Sequence, residues 1–254
     1  MNETQRRARY NLIIIVKSSP ANDARRGRLR RLISKQTHKP NTTIGLLFSL
    51  GVPVATSNQP ELLDTISNEA ARFDDIILTD FTDTYYNLTF KTLLNLRFAH
   101  VACGGASPLF AFMDDDHGLN LAALLDYFHT FEGKHQGQLR HSVFGFVYQR
   151  PKVIREPGHK WALTRSEMPF YMYPAYAAGP CYVIGTEAVA ALSIAAAFTK
   201  PLTMEDAYVG LIAAKLGIKM HNLPDVHLHG PRQNKKLKRV PLIASLEYFE
   251  KHIS

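Results

Sequence analysis

Short apolar runs alternate along this chain with amphipathic stretches. Residues 11–17 (NLIIIVK) form an unbroken β-branched run, the pattern of a strand buried on both faces. Ser18-Ser-Pro20 ends it, and a strongly basic helix is predicted over 23–36. Further strands are predicted over 43–50 (TIGLLFSL), 75–79 (DIILT), 109–113, 142–148, 182–184 and 226–228. Helices are predicted over 60–73, with Leu62, Leu63, Ile66 and Ala70 on one face, and over 86–102, with Leu93, Leu94, Leu96 and Phe98 inward. More helices follow over 121–128, capped by Asn120, over 187–198, and over 206–216. Residues 151–175, rich in Pro and Tyr, read as a long irregular connection, and such loops tend to carry function. The alternation predicts an α/β fold, a central sheet flanked by helices, in a single domain over 1–254. Its core is placed at about 11–232, with 1–10 and 233–254 outside it and residues 233–239 expected to be a mobile tail.

Composition narrows this only a little. Among 254 residues, 46% are hydrophobic and 20% charged, as in ordinary globular chains. The 30 basic and 22 acidic residues leave a formal charge of +8, which favours anionic partners without choosing one. Basic clusters at 6–9, 25–31 and 235–239 read first as solvated surface. Two cysteines, Cys103 and Cys181, neither define a disulfide framework nor match a zinc spacing. Sequons at Asn2, Asn41 and Asn87 point to the secretory pathway. The early apolar run 12–16 is far too short for a membrane helix, and neither a signal peptide nor an anchor is visible.

The densest chemistry is in 110–116, FAFMDDD, where an apolar run delivers Asp114, Asp115 and Asp116 to the end of a predicted buried strand. Burying such a triplet is costly unless a cation, protons or strong hydrogen bonds offset the repulsion. Hard carboxylate oxygens suit Mg²⁺ or Mn²⁺, and such sites leave positions open for a substrate's phosphates. The same acids would also serve simply as favourable neighbours of the next helix's N-terminus.

Four segments occur in order: YYNLTFKT at 85–92, MDDD at 113–116, KWALTRSEMPFYMYPAYAAG at 160–179 and EDAYVG at 205–210. Together they resemble the β-1,3-galactosyltransferases and β-1,3-N-acetylglucosaminyltransferases, hexosyltransferases of the Golgi, over about 12–229. The resemblance implies a GT-A-like fold, a Rossmann-related central mixed sheet flanked by helices. It also implies a UDP-sugar donor, Mn²⁺ (or Mg²⁺) as cofactor, inversion at the anomeric carbon and transfer in β-1,3 linkage. The acceptor would be a glycan on a glycoprotein or glycolipid, in the Golgi lumen. Membrane attachment would come only through an anchor missing from this chain, and no nucleic-acid partner is implied.

An inverting transfer needs a base to deprotonate the acceptor hydroxyl and, on the opposite face, charge neutralisation for the departing diphosphate. By resemblance, Asp206 is the base and Glu205 helps place the acceptor. Asp116 contacts the metal, and Asp114 orients the nucleotide as the other half of the D-x-D pair. Asp115 lies between them on the donor side. Lys17 and Ser18 match the family's first strand end, a natural edge for a nucleotide pocket. Arg26, with Arg25 and Arg30, is placed to meet phosphates, and Lys91 supports the donor site. Gly179 allows close approach to the donor. Trp161, Tyr173 and Tyr176 offer aromatic surface to the acceptor sugar, while Asn41 and Asn87 are candidate glycosylation sites.

The chain departs from the family pattern at His117-Gly118, at Gly179-Pro180-Cys181 and in the eroded signature over 26–34. The family's late histidine falls near Leu246, leaving His229 or His227 as the substitute ligand. Two rivals follow: a degenerate member that binds glycans or acts as a chaperone, and a basic nucleic-acid binder built on 25–31 and 235–239.

Overall fold

The computed structural model describes residues 10–37, 42–56, 58–229 and 239–253. A seven-stranded sheet has the order β3-β2-β1-β4-β7-β6-β8. Its strands are β1 (Leu12–Lys17), β2 (Ile44–Val52), β3 (Ile76–Thr82), β4 (Leu109–Asp114), β6 (Ser142–Tyr148), β7 (Tyr176–Gly185) and β8 (Lys219–Asn222). β7 alone runs against the others, antiparallel to β4 and to β6. A small second sheet pairs β5 (His117–Leu119) with β9 (Ile243–Ser245).

The alternation of side chains along β1 divides the core. Leu12, Ile14 and Val16 face α1 (Asp23–Gln36), α4 (Leu121–Lys134) and α7 (Leu246–His252), packing with Leu29, Leu124 and Phe249. Ile13 and Ile15 face α3 (Leu88–Val101), α5 (Thr186–Ala196) and α6 (Glu205–Lys215), packing with Leu96, Val189 and Ile212. The remaining helix, α2 (Gln59–Phe73), follows β2. With both faces covered, β1 is buried at every position, as its unbroken apolar run requires. Asn120 caps α4, its side chain accepting from Ala123 N–H at 3.3 Å.

Several sequence expectations change. The strand placed at 182–184 begins at Tyr176, because Tyr176 and Ala177 already pair with Tyr148 and Val147 of β6. The strand placed at 226–228 is one bridge, Val226 to Ile243, and the edge strand is β8 instead. The buried face of α3 is largely polar: Thr89, Lys91, Thr92 and Asn95 lie inward with Leu96 and Ala99. Of the leucines and phenylalanine expected inward, Leu96 is buried and Leu93 and Phe98 pack half-buried against the core, and the polar residues join them because α3 backs onto a charged site. Cys103 and Cys181 are both free. Asn41 and most of the 233–239 tail lie outside the described residues.

Candidate active site

The site forms where the ends of β1 and β4 meet the start of β7 and the first turn of α6. Parallel pairing sets Lys17 beside Asp114, and the reversed β7 carries Gly179 past both. Lys17 is buried, yet its ammonium meets Glu205 Oε1 at 2.5 Å, Asp114 Oδ1 at 3.0 Å and the Gly179 carbonyl at 2.9 Å. Burial works against its charge, but the Asp114 and Glu205 carboxylates outweigh it and hold Lys17 well above the usual lysine range.

Glu205 is buried too, and Oε2 accepts from Thr92 at 3.2 Å and from the Tyr182 hydroxyl at 3.1 Å. Burial pushes it up to about 6 despite Lys17. Glu205 thus fixes Lys17 while still lining the cleft. Its neighbour Asp206 is only partly buried and accepts backbone N–H bonds from Gly179 at 3.1 Å and Ala207 at 2.8 Å. Burial raises Asp206 above the usual carboxylate range, with both N–H bonds working the other way. Gly179 has no room to spare: a Cβ there would lie 3.1 Å from Glu205 Oε1. Gly210, one helical turn on, is needed because a Cβ would lie 2.4 Å from that of Tyr176.

The three aspartates separate. Asp114 ends β4 beside Lys17, with its side chain one-third exposed. Asp115 is buried in the turn and accepts from Ser18 Oγ at 2.8 Å, Asn22 at 2.7 Å and Arg25 at 2.9 Å. Asp116 is half-exposed and bonds His117 Nδ1 at 2.5 Å, which holds its carboxyl below the usual range. The other nitrogen of His117 meets the Leu228 carbonyl at 3.0 Å, next to His229. The Leu246 N–H binds the Asp116 carbonyl at 2.8 Å, and Gly118 lets Phe249 pack where a Cβ would lie 2.7 Å from its ring. The His117-Gly118 departure therefore docks α7 under the acidic turn.

Other predicted donor residues serve as supports. Arg26 is fully buried, with every nitrogen engaged by Glu69, Ser18 or the Ser19 and Pro20 carbonyls, so it orders the loop after β1 instead of facing a phosphate. Ser18 is buried between Asp115 and Arg26. Lys91 holds the Ser18 carbonyl at 2.6 Å and both Asp83 oxygens, and burial pushes its pKa down. Asn87 donates to the Thr82 carbonyl at 2.8 Å.

A cleft of about 530 Å³ joins these parts. Asp114, Gly179, Glu205, Asp206 and His229 line it with the aromatic side chains of Trp161, Tyr173, Tyr176, Tyr148 and Tyr85. Trp161 donates its indole N–H to the Tyr85 hydroxyl at 2.8 Å and is 43% exposed, open enough to stack on a sugar. Tyr173 and Tyr176 are buried and form the floor, their rings 5.9 Å apart. The loop over 151–175 is held by Arg155, which donates to the carbonyls of Leu163, Thr164, Met168 and Phe170. Sequence reading missed Arg155, Asp83, Thr92 and Tyr182. Thr92 closes the YYNLTFKT segment without a chemical role of its own being apparent there, the other three lie outside the four segments, and only the folded chain brings them to their partners.

Among the described residues, no three of His, Cys, Asp and Glu gather into a metal cage. Asp114 and exposed His229 line the cleft, whereas half-exposed Asp116 is not among its lining residues. One or two such carboxylates, with the remaining positions filled by substrate oxygens, suit a hard cation. α1, the proposed nucleic-acid surface, is largely neutralised from within: Arg25, Arg28 and Arg30 pair with Asp115, Glu250 and Asp75.

The family described as Galactosyltransferase matches residues 24–224. The chain is 31% identical over 211 residues to the human lactosylceramide 1,3-N-acetyl-β-D-glucosaminyltransferase, covering 82% of this chain and 54% of that protein. It is 27% identical over 237 residues to the Drosophila melanogaster β-1,3-galactosyltransferase brn, covering 93% and 70%. Against the human β-1,3-galactosyltransferase 5 it is 29% identical over 215 residues, covering 84% and 65%. The chain thus spans little more than half the length of the first of these relatives and about two thirds of the other two.

Proposed function

The chain belongs to the galactosyltransferase family, and from that premise we propose that it is an inverting, UDP-sugar-dependent hexosyltransferase. It moves galactose or N-acetylhexosamine to a glycan hydroxyl in β-1,3 linkage, on glycoproteins or glycolipids. The observation that carries the reading is one cleft lined both by the strand-end acid Asp114 and by Asp206 on a separate helix. An inverting displacement requires that division of labour.

Asp206 takes the proton from the acceptor hydroxyl. Its burial-raised pKa makes it a better base than a solvated aspartate, and the Gly179 and Ala207 N–H groups fix its orientation. Lys17 holds Glu205 and Asp114 at a set spacing, so the donor and acceptor sides keep their register. Trp161 orients the acceptor ring against Tyr85. Asp116 and Asp114 would hold Mn²⁺ (or Mg²⁺), with His229 at the rim, and the bound ion would neutralise charge on the leaving diphosphate. The single reversed strand within a mostly parallel sheet, with acids at the strand ends, supports the GT-A arrangement.

The family's Golgi lumenal setting is proposed for this chain as well. Among the described residues, no helix is long and apolar enough to cross a membrane. A screen of UDP-hexoses with Mn²⁺ and a panel of neutral and charged glycans, reading released UDP, tests the activity. Transfer from one UDP-hexose is expected. Folded protein that releases no UDP from any donor would remove the transferase reading.

A further inference from the structure

The loop over 151–175 gives the cleft a charge opposite to that of its strand-end side. Lys152 and Lys160 both line the cleft, and both are exposed. Among the described residues neither lies within salt-bridge reach of a carboxylate, whereas Arg25, Arg26, Arg28, Arg30, Lys17 and Lys91 are all paired. The Lys160 ammonium sits 4.5 Å from the Tyr85 ring centre and 5.2 Å from that of Trp161. These are the rings offered to the acceptor, and together they restrain the cation at the sugar-stacking surface. Lys152 is placed by its backbone bridge to Met172, within the loop that Arg155 pins. The loop's own acids, Glu156 and Glu167, are not part of the cleft lining, and Glu167 is turned back onto Thr164.

We propose that Lys152 and Lys160 form a subsite, beside Trp161 and Tyr85, for an anionic group on the acceptor glycan, a sulfate or a carboxylate. The subsite deepens the transferase reading and rests on it. An acceptor ring stacks on Trp161, and its own or its neighbour's anionic substituent meets two cations already positioned and unneutralised. The donor diphosphate is the other anion in such a site. In the transferase reading it is matched instead to the acids at the end of β4, where Asp114 is held by Lys17.

Three oligosaccharides of one backbone test this: neutral, carrying one sulfate, and carrying one uronic acid carboxylate. Their affinities are measured by calorimetry at low salt, with UDP titrated in parallel. Two exposed ion pairs at typical strength predict that at least one charged glycan binds about fivefold more tightly than the neutral one. The preference should shrink with added salt. In the Lys152→Gln, Lys160→Gln double variant the charged-to-neutral ratio should fall to near one. The subsite is overturned if the wild type binds all three equally, or if the preference persists in the double variant. It is likewise overturned if the double variant loses UDP affinity while the preference stays, since the lysines then serve the donor. A charge preference that follows the lysines in a protein releasing no UDP from any donor would uphold the subsite and remove only the transferase reading.

Discussion

Lys17 Nζ lies 2.5 Å from Glu205 Oε1, joining the end of β1 to the first turn of α6 across 188 residues of sequence. The same ammonium reaches Asp114, so one buried cation ties the two carboxylate groups of the cleft together. Geometry this close, with Thr92 and Tyr182 completing the Glu205 shell, satisfies charges that would otherwise be stranded.

Lys17→Met should therefore cost about 3–5 kcal/mol of stability, the usual loss when one partner of a buried pair is removed. Adding Glu205→Gln should recover part of it, because the second charge is then no longer orphaned. Urea unfolding of the single and double variants measures both. A Lys17→Met protein as stable as wild type would refute the role given to this pair.

Glu205 also sets a pH dependence. Burial raises it from 4.5 to about 6, so the folded protein retains this proton where the unfolded chain has released it. Its contribution is favourable at low pH and is lost as pH rises from about 4.5 to about 6, by roughly 2 kcal/mol. Lys17 behaves differently: its raised pKa keeps its contribution intact through this window, to be lost only above 10.5. Glu205→Gln should flatten the stability slope between pH 4.5 and 6, and an unchanged slope would count against the assignment.

Arg155→Ala should release the loop it pins, since four hydrogen bonds to loop carbonyls are lost at once. Limited proteolysis within 156–170 is expected to accelerate, and the KM for acceptor to rise several-fold while UDP affinity holds. Proteolysis at the wild-type rate would show that the loop is ordered by something else.

Asp116→Ala should abolish the Mn²⁺-dependent part of UDP binding, because the half-exposed carboxylate is the donor set's most accessible oxygen source. Calorimetric titration of UDP with and without Mn²⁺ reads this directly. Identical titrations for wild type and variant would reject the metal assignment.

The alternating pattern made β1, α1, β2 and β4 legible because each buries several residues in register with its period, and α2 was legible from its periodicity although only Ile66 and Glu69 are buried. β5, β9 and α7 escaped, being short and stabilised by tertiary pairing: His117 with Ser245, and Gly118 beneath Phe249. The acids Asp114, Asp116 and Asp206 were readable as a pattern of residue types. Which acids face the cleft and which are internal was not. Asp115, Glu205, Arg26 and Lys91 carry charges that suit a substrate but are consumed by partners distant in sequence, such as Asn22, Lys17, Glu69 and the Ser18 carbonyl. Nothing local distinguishes a charge satisfied by a remote partner from one left for a ligand.

Asp206→Asn tests the central claim most directly. The amide keeps the shape and can still accept from one of the Gly179 and Ala207 N–H groups, but it cannot take a proton. Sugar transfer should fall by about 10²–10⁴-fold, the range for losing a general base, with UDP affinity close to wild type. Transfer at the wild-type rate by a folded Asp206→Asn protein would contradict the account.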